Sequence, residues 1–105
     1  MQTDLLAPTS RCSEEVRTRW LNGQSSEVDL SKCALYDIPG WVRGCASRVT
    51  VLRLSGNHLT GLPDWLPELS QLAELNLSCN GLAAEATFPV LARLRNLKVL
   101  NLAGN

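Results

Sequence analysis

Four stretches of the chain repeat one spacing of apolar residues. Each contains an apolar residue, one intervening residue and a leucine, and these pairs begin at Val28, Leu52, Leu75 and Leu100. Successive pairs lie 24, 23 and 25 residues apart. Repeats of this length are typical of chains that stack copies of one short unit, none of which can bury its apolar face alone. This period constrains the fold of the 105-residue chain more than any other feature.

The pattern inside one unit predicts a strand followed by a turn. Alternate side chains of a strand point to the same face, so both apolar residues of each pair are expected to point inward. An asparagine stands three residues after the second leucine in three units, at Asn57, Asn80 and Asn105, and Cys33 takes this place in the first unit. A short amide can hydrogen-bond backbone groups of a turn. Stacked units would align these four residues as a ladder.

Proline marks similar places between the predicted strands, at Pro39, Pro63 and Pro89. The sequences LPDWLPELSQL, from Leu62, and FPVLARLRNL, from Phe88, predict short helical returns opened by proline. Five apolar residues of the returns are expected to cover the core: Trp41, Leu66, Leu69, Leu91 and Leu94.

Each unit approximates L-x-x-L-x-L-x-x-N-x-L, and in this the chain resembles the leucine-rich repeat family. The match covers residues 25–105, about three and a half units that start near residues 25, 49, 72 and 97. The resemblance implies an α/β fold: a leucine-rich repeat solenoid with a short curved parallel sheet on its concave face and helical or irregular returns on its convex face. The first unit departs from the pattern, because Ser25, Val28 and Cys33 replace its expected leucines and asparagine.

The segment before the repeats predicts a cap. Residues 1–12 are expected to be a flexible N-terminus. Residues 13–24 predict a helix, since Ser13 suits an N-cap and Gly23 suits a C-terminal stop. A stack of repeats exposes the core of its first unit unless another element covers it. We therefore expect an N-terminal capping helix, with a partner-binding helix anchored by Trp20 as the alternative.

The sequence stops at Asn105, inside the fourth unit. This position predicts an N-terminal fragment or a truncated form of a longer leucine-rich repeat protein. Three leucines of the last unit, Leu97, Leu100 and Leu102, would lack cover on one side, and the open strand edge could pair with another chain. Self-association through this uncapped C-terminal edge is therefore one predicted contact.

Composition argues against several classes of function. The formal net charge is zero, which disfavours nucleic-acid binding. No stretch approaches the roughly 18 apolar residues of a membrane span, so membrane insertion is not expected. The single histidine, His58, and the irregular cysteine spacing predict no metal site, and no motif predicts a cofactor or a catalytic residue.

The N-terminal sequence MQTDLLAPTS lacks the basic start and apolar run of a signal peptide. It predicts a cytoplasmic location, with the nucleus as the alternative, a protein that is not secreted, and four cysteines that are thiols. Within LAELNLSCNGL, Asn76-Leu77-Ser78 fits an N-glycosylation acceptor and Cys79 could be a reactive thiol. Cys79 occupies the place of Gly56 and Gly104 in neighbouring units, so we interpret it as a turn residue and the acceptor pattern as incidental.

The resemblance implies that a protein partner binds the concave strand face. Arg53 is the expected anchor, because its planar fork suits carboxylates, and simple pairing with Asp29 is the alternative. Lys32, Ser55 and His58 could extend the surface. The outward strand positions form two files, which are Asp29, Arg53, Asn76 and Asn101, and Glu27, Val51, Glu74 and Val99.

These observations predict a non-catalytic protein–protein interaction module whose partner is unidentified. Two alternatives stay open. The chain could be a regulatory repeat segment of a larger signalling enzyme, such as a kinase, GTPase or ubiquitin ligase, whose catalytic part is absent. It could also be a non-functional truncated isoform.

Overall fold

The computed structural model describes residues 15–18 and 26–105. Its central feature is a parallel sheet of four strands in the order β1-β2-β3-β4, so that each strand pairs with its neighbours in sequence. Leu52, for example, pairs with both Val28 and Leu75. The sequence period is thus the register of the sheet, which confirms the predicted α/β fold with a short parallel sheet. The strands are β1 (Glu27–Asp29), β2 (Val51–Arg53), β3 (Glu74–Asn76) and β4 (Val99–Asn101).

The apolar pairs supply the core. Their side chains are fully buried in the first three units, at Val28, Leu30, Leu52, Leu54, Leu75 and Leu77. Burying one such leucine contributes roughly 1.5–3 kcal/mol relative to exposing it. The fourth unit differs, because Leu100 is 41% exposed and Leu102 is half-buried.

Three short helices form the returns between strands. Two are 3₁₀ helices, at Gly40–Cys45 and Leu66–Glu68, and the third is the α-helix α1, at Ala84–Leu91. The predicted return helix that starts at Phe88 and is opened by Pro89 was wrong. The helix α1 begins four residues earlier, so Pro89 lies inside it. Alanine and glutamate favour helix at its start. Proline removes one N–H donor, while the Ala92 N–H still donates to the Phe88 carbonyl oxygen at 3.0 Å.

The predicted cover of the core is confirmed. Leu66 and Leu69 are buried, whereas Trp41, Leu91 and Leu94 are partly buried and pack against the core. The side of the sheet that faces the returns is therefore closed by the returns themselves.

The predicted ladder is confirmed by its hydrogen bonds. The Asn57 Oδ1 accepts from the backbone N–H groups of Cys33 and Leu35, at 3.0 and 2.9 Å. Its Nδ2 donates to the carbonyl oxygens of Leu30 and Leu54, also at 3.0 and 2.9 Å. Asn80 and Asn105, one and two units further along the chain, make the two equivalent donor bonds and each accept one backbone N–H, from Leu59 and Leu82. One amide therefore closes its own turn and binds the preceding unit.

The predicted flexible segment, residues 1–12, lies outside the described residues. Of the predicted capping helix, residues 13–24, the structure describes residues 15–18, which are helical. Val16 in this segment is partly buried against the core. Across residues 15–18 and 26–105, no helix has the length and apolar character needed to span a membrane.

The cysteines differ from one another. Cys33 is disulfide-bonded, whereas Cys45 and Cys79 are free thiols. The expectation that every cysteine is a thiol was therefore wrong for Cys33. Cys79 has a φ of 57°, close to the 72° of Gly56 and the 74° of Gly104 in the equivalent turns. Its interpretation as a turn residue is confirmed.

Candidate functional site

The surface formed by the outward strand residues, here called the open strand face, brings together all eight predicted site positions. Parallel pairing aligns them in the two predicted files, and each residue is at least partly exposed. The open strand face comprises Glu27, Asp29, Val51, Arg53, Glu74, Asn76, Val99 and Asn101.

Arg53 lies between two carboxylates of the open strand face. Its Nη1 donates to Glu27 Oε1 at 2.9 Å, and its Nη2 lies 3.9 Å from Glu74 Oε2. The hydrogen bond to Glu27 is the main cause that raises the pKa of the Arg53 guanidinium. The predicted pairing of Asp29 with Arg53 was wrong. The longer Glu27 side chain reaches the guanidinium, whereas Asp29 Oδ1 accepts from the Ser31 N–H at 3.0 Å.

This arrangement changes what Arg53 can do. A carboxylate from a partner would have to displace carboxylates that already hold the guanidinium, so Arg53 is a weaker anchor than its sequence position indicated. Glu27, Arg53 and Glu74 together carry a net charge of −1, and Asp29 adds a further negative charge. The face over β1, β2 and β3 therefore has an acidic excess.

The file that contains Arg53 also has a structural role that sequence reasoning missed. Asp29, Asn76 and Asn101 each accept a hydrogen bond from the N–H two residues later, at 3.0 Å. Asn76 Oδ1 also accepts from the Ser78 hydroxyl at 2.8 Å. A side chain that bonds the backbone two residues on stabilises a turn. These residues thus end their strands as well as occupying the surface, and Arg53 is the exception.

The acceptor pattern at Asn76 is engaged in this turn. Ser78, the third residue of this pattern, is only 8% exposed. Its hydroxyl also lies 2.8 Å from the Ser55 hydroxyl of the neighbouring unit. The buried, hydrogen-bonded serine supports the interpretation that the pattern is incidental.

An aromatic pair lies on the turns after β1 and β2. The rings of Tyr36 and His58 stack with centroids 5.0 Å apart and an interplanar angle of 25°, and both residues are exposed. The His58 N–H donates to the Leu35 carbonyl oxygen at 2.7 Å, which fixes one turn against the other. Sequence reasoning named His58 and missed Tyr36, because the two residues occupy different positions in their units.

Metal-ligating side chains do not form a cluster in the described part of the chain. Within the described ranges, no group of three histidine, cysteine or acidic residues is arranged to hold a metal ion. The arrangement presents charged, amide and aliphatic groups on a sheet, which is a surface suited to recognition.

Comparison with known proteins agrees with the repeat geometry. The family model described as Leucine Rich Repeat matches residues 48–69, which include the second strand and its return. An uncharacterised leucine-rich repeat-containing protein of Schizosaccharomyces pombe is 40% identical over 75 residues, which are 71% of this chain and 12% of that protein. The chain therefore spans about an eighth of the length of that relative. By its repeats, its register and these similarities, the chain belongs to the leucine-rich repeat family.

Proposed function

We propose that the chain is a non-catalytic protein–protein interaction module and that its partner binds the open strand face, as the concave face of a solenoid. One observation carries the proposal: four strands in register present eight side chains on a single face, away from the buried core. Leucine-rich repeat domains generally mediate contacts between proteins, and stacked repeats create extended binding surfaces.

The chemistry of the open strand face supports a protein as the ligand. Val51 lies between Glu27 and Glu74 in its file, and Val99, at 53% exposure, ends the same file. Aliphatic groups offer a partner apolar area to bury, and the charged groups beside them fix the orientation in which it binds. Because the strands are tied by the asparagine ladder, little ordering of this surface is needed on binding.

Site-specific photocrosslinking tests the proposed face. Benzoylphenylalanine placed at Val51 or Val99 is expected to give a discrete protein adduct in cells that express the chain. The same group at Ser47 or Asp64, exposed residues of the return side, serves as the matched control. Val51→Glu should abolish the adduct formed from Val99. Equal adducts from both sides, or an adduct that survives Val51→Glu, would refute this assignment of the face.

The solenoid with its cap is part of the same proposal. We infer that residues 25–105 are repeats and that residues 13–24 form the N-terminal capping helix. The contact of Val16 with the core supports the cap. Val16→Asp should lower the stability of the first unit more than Glu15→Gln, as hydrogen exchange of the β1 amides would report. Equal exchange in both variants would contradict the cap.

A regulatory segment of a larger signalling enzyme is the second candidate. The observation that favours it is the length of the yeast relative, of which this chain matches 12%. A kinase, GTPase or ubiquitin ligase in the same open reading frame would support this candidate. A non-functional truncated isoform is the third reading, and a cooperative unfolding transition of the 105 residues would argue against it.

Self-association through β4 is a further proposed contact. Val99 and Leu100 of this strand are 53% and 41% exposed, and the described residues pair with only one side of β4. Sedimentation over a range of concentrations should show dimers that Leu100→Lys abolishes. A monomer at every concentration would exclude this contact.

The cytoplasmic or nuclear location remains a prediction from sequence. The disulfide at Cys33 argues against it, because thiols are kept reduced in the cytosol. Localisation of the tagged chain by microscopy would decide between a reducing and an oxidising compartment.

A further inference from the structure

A second surface lies on the return side, away from the open strand face. A groove with a volume of about 380 Å³ lies between the return that contains Leu66–Glu68 and the segment after α1. Its volume falls within the range of clefts that bind ligands. We call it the return groove, and the residues that matter for its chemistry are Leu69, Leu72, Leu94, Arg93, Arg95 and Asn96.

The lining of the return groove combines aliphatic and cationic groups. Leu69 and Leu72 are buried and Leu94 is half-buried, so the groove reaches the edge of the core. Arg93 and Arg95 are exposed and line the same space. This combination would bind an aliphatic side chain flanked by negative charge.

Positive charge is concentrated in the segment that contributes Arg93 and Arg95 to the return groove. Residues 86–105 contain three basic residues, which are Arg93, Arg95 and Lys98, and no acidic residue. No ion pair joins these three cations to a carboxylate in the described part of the chain. The whole chain is neutral, so this positive segment is a local feature that an acidic partner could recognise.

The carboxylate between the lining residues Pro67 and Leu69, which belongs to Glu68, does not neutralise the return groove. Glu68 binds the Arg43 guanidinium through both carboxylate oxygens, at 2.8 and 2.9 Å. Among the residues that the structure describes, no acidic side chain lines the groove. Arg93 and Arg95 therefore retain their capacity for bidentate bonds to a carboxylate.

The backbone that carries the two arginines is held in place. The Arg93 N–H donates to the Val90 carbonyl oxygen at 3.0 Å. Asn96 Nδ2 donates to the Ser70 carbonyl oxygen at 2.7 Å, and the Lys98 N–H donates to the Ala73 carbonyl oxygen at 2.7 Å. A preorganised segment loses less entropy on binding than a free loop does.

We propose that the return groove docks a protein segment in which acidic residues flank an aliphatic side chain. The aliphatic side chain contacts Leu69, Leu72 and Leu94, and the flanking carboxylates bind Arg93 and Arg95. Nucleic acid is disfavoured, because single strands are bound largely by stacking on aromatic side chains and no aromatic residue of the described ranges lines this groove. This site is separate from the open strand face and does not depend on it.

Fluorescence anisotropy with a labelled synthetic peptide, one leucine flanked on each side by glutamates, tests the proposal on the full chain. Arg93→Gln and Arg95→Gln should each weaken binding about tenfold, as loss of one charge-assisted bond predicts. Arg93→Lys should weaken it less, because the charge remains. The matched control is Lys32→Gln, which removes the same charge at the turn after β1 and should leave affinity unchanged.

Two further peptides complete the test, one with glutamine for glutamate and one with alanine for leucine, and both should bind more weakly. Val51→Glu should leave the affinity for the peptide unchanged. The proposal for the return groove can therefore fail or succeed independently of the proposal for the open strand face. The proposal is overturned if the wild-type chain does not bind the acidic peptide. It is also overturned if the arginine variants match Lys32→Gln, or if a single-stranded oligonucleotide binds more tightly at these arginines.

Discussion

Replacing Asn57 by alanine would remove a buried amide that joins the first two repeats. The Asn57 side chain makes four hydrogen bonds, all with backbone groups, and the residue is 5% exposed. Alanine would leave the N–H groups of Cys33 and Leu35 and the carbonyl oxygens of Leu30 and Leu54 without this partner. The surrounding core restricts the entry of water to replace it.

The expected loss in the free energy of unfolding follows from these four bonds. At a net value of about 1 kcal/mol for each buried hydrogen bond, Asn57→Ala should cost about 4 kcal/mol. A domain has a total stability of about 5–15 kcal/mol. This one substitution should therefore remove a large part of the stability while leaving every leucine of the core in place.

Urea unfolding followed by circular dichroism would measure the difference. Asn105→Ala is the matched control, because Asn105 makes equivalent bonds at an exposed position where water can replace them. Asn57→Asp retains an acceptor for the N–H groups, but it places a buried carboxylate oxygen against the carbonyl oxygens of Leu30 and Leu54. Burial of a charge facing like partial charges is costly, so it should destabilise at least as much as alanine does.

A loss below about 1 kcal/mol for Asn57→Ala, the range of an ordinary surface change, would refute the reasoning. Equal losses for Asn57→Ala and Asn105→Ala would refute it as well, since the argument depends on burial. Either result would mean that the ladder follows from the stacking of leucines and does not stabilise it.

Three further predictions concern the cysteines. Cys79→Gly should raise the free energy of unfolding by about 1 kcal/mol, measured in urea, because a side chain is strained at positive φ, whereas Gly56→Ala should lower it. Burial raises the pKa of the Cys45 thiol above its ordinary value of 9.0, so the folded state holds this proton more tightly than the unfolded chain does. The free energy of unfolding should be constant at pH values below the ordinary pKa of 9.0 and should fall as the pH rises through the raised pKa of the folded state. Cys45→Ser should change this fall in urea titrations. Alkylation in denaturant without reductant, followed by peptide mapping, should label Cys45 and Cys79 but leave Cys33 unmodified.

Each of the three cysteine predictions has an outcome that would contradict it. A Cys79→Gly variant less stable than the parent would mean that the thiol contributes contacts that outweigh its backbone strain. An alkaline fall of the same size and position in Cys45→Ser would assign that fall to another group. Labelled Cys33 would exclude the disulfide and restore the expectation of a reduced chain.

The sheet and the ladder could be predicted from sequence because both follow the repeat period. Val28, Leu52 and Leu75 recur at a spacing that becomes the strand register. The same spacing could have identified the Arg43–Glu68 pair, whose residues are 25 apart, near one period. A search for opposite charges one period apart would have found it.

Side-chain choices between competing partners could not be read from the period. Arg53 has three carboxylates of two side-chain lengths around it, and only the geometry shows that Glu27 bonds to it while Asp29 turns to the backbone. The start of α1 does not follow from its proline, because Pro89 resembles an opening signal while the alanines before it extend the helix. The return groove arises where two returns meet, and no motif within one unit indicates it.

The asparagine ladder also bears on how such a chain can change in length. Side-chain hydrogen bonds between units join residues 21 to 28 positions apart, which is close to one period. Duplication of a whole unit, for example residues 49–71, would return each of these groups to an equivalent partner. An insertion of a few residues inside a strand or turn would separate many of them at once. The same bonds that stabilise the fold therefore make the unit the smallest increment by which a gene of this kind can grow or shrink without loss of the structure.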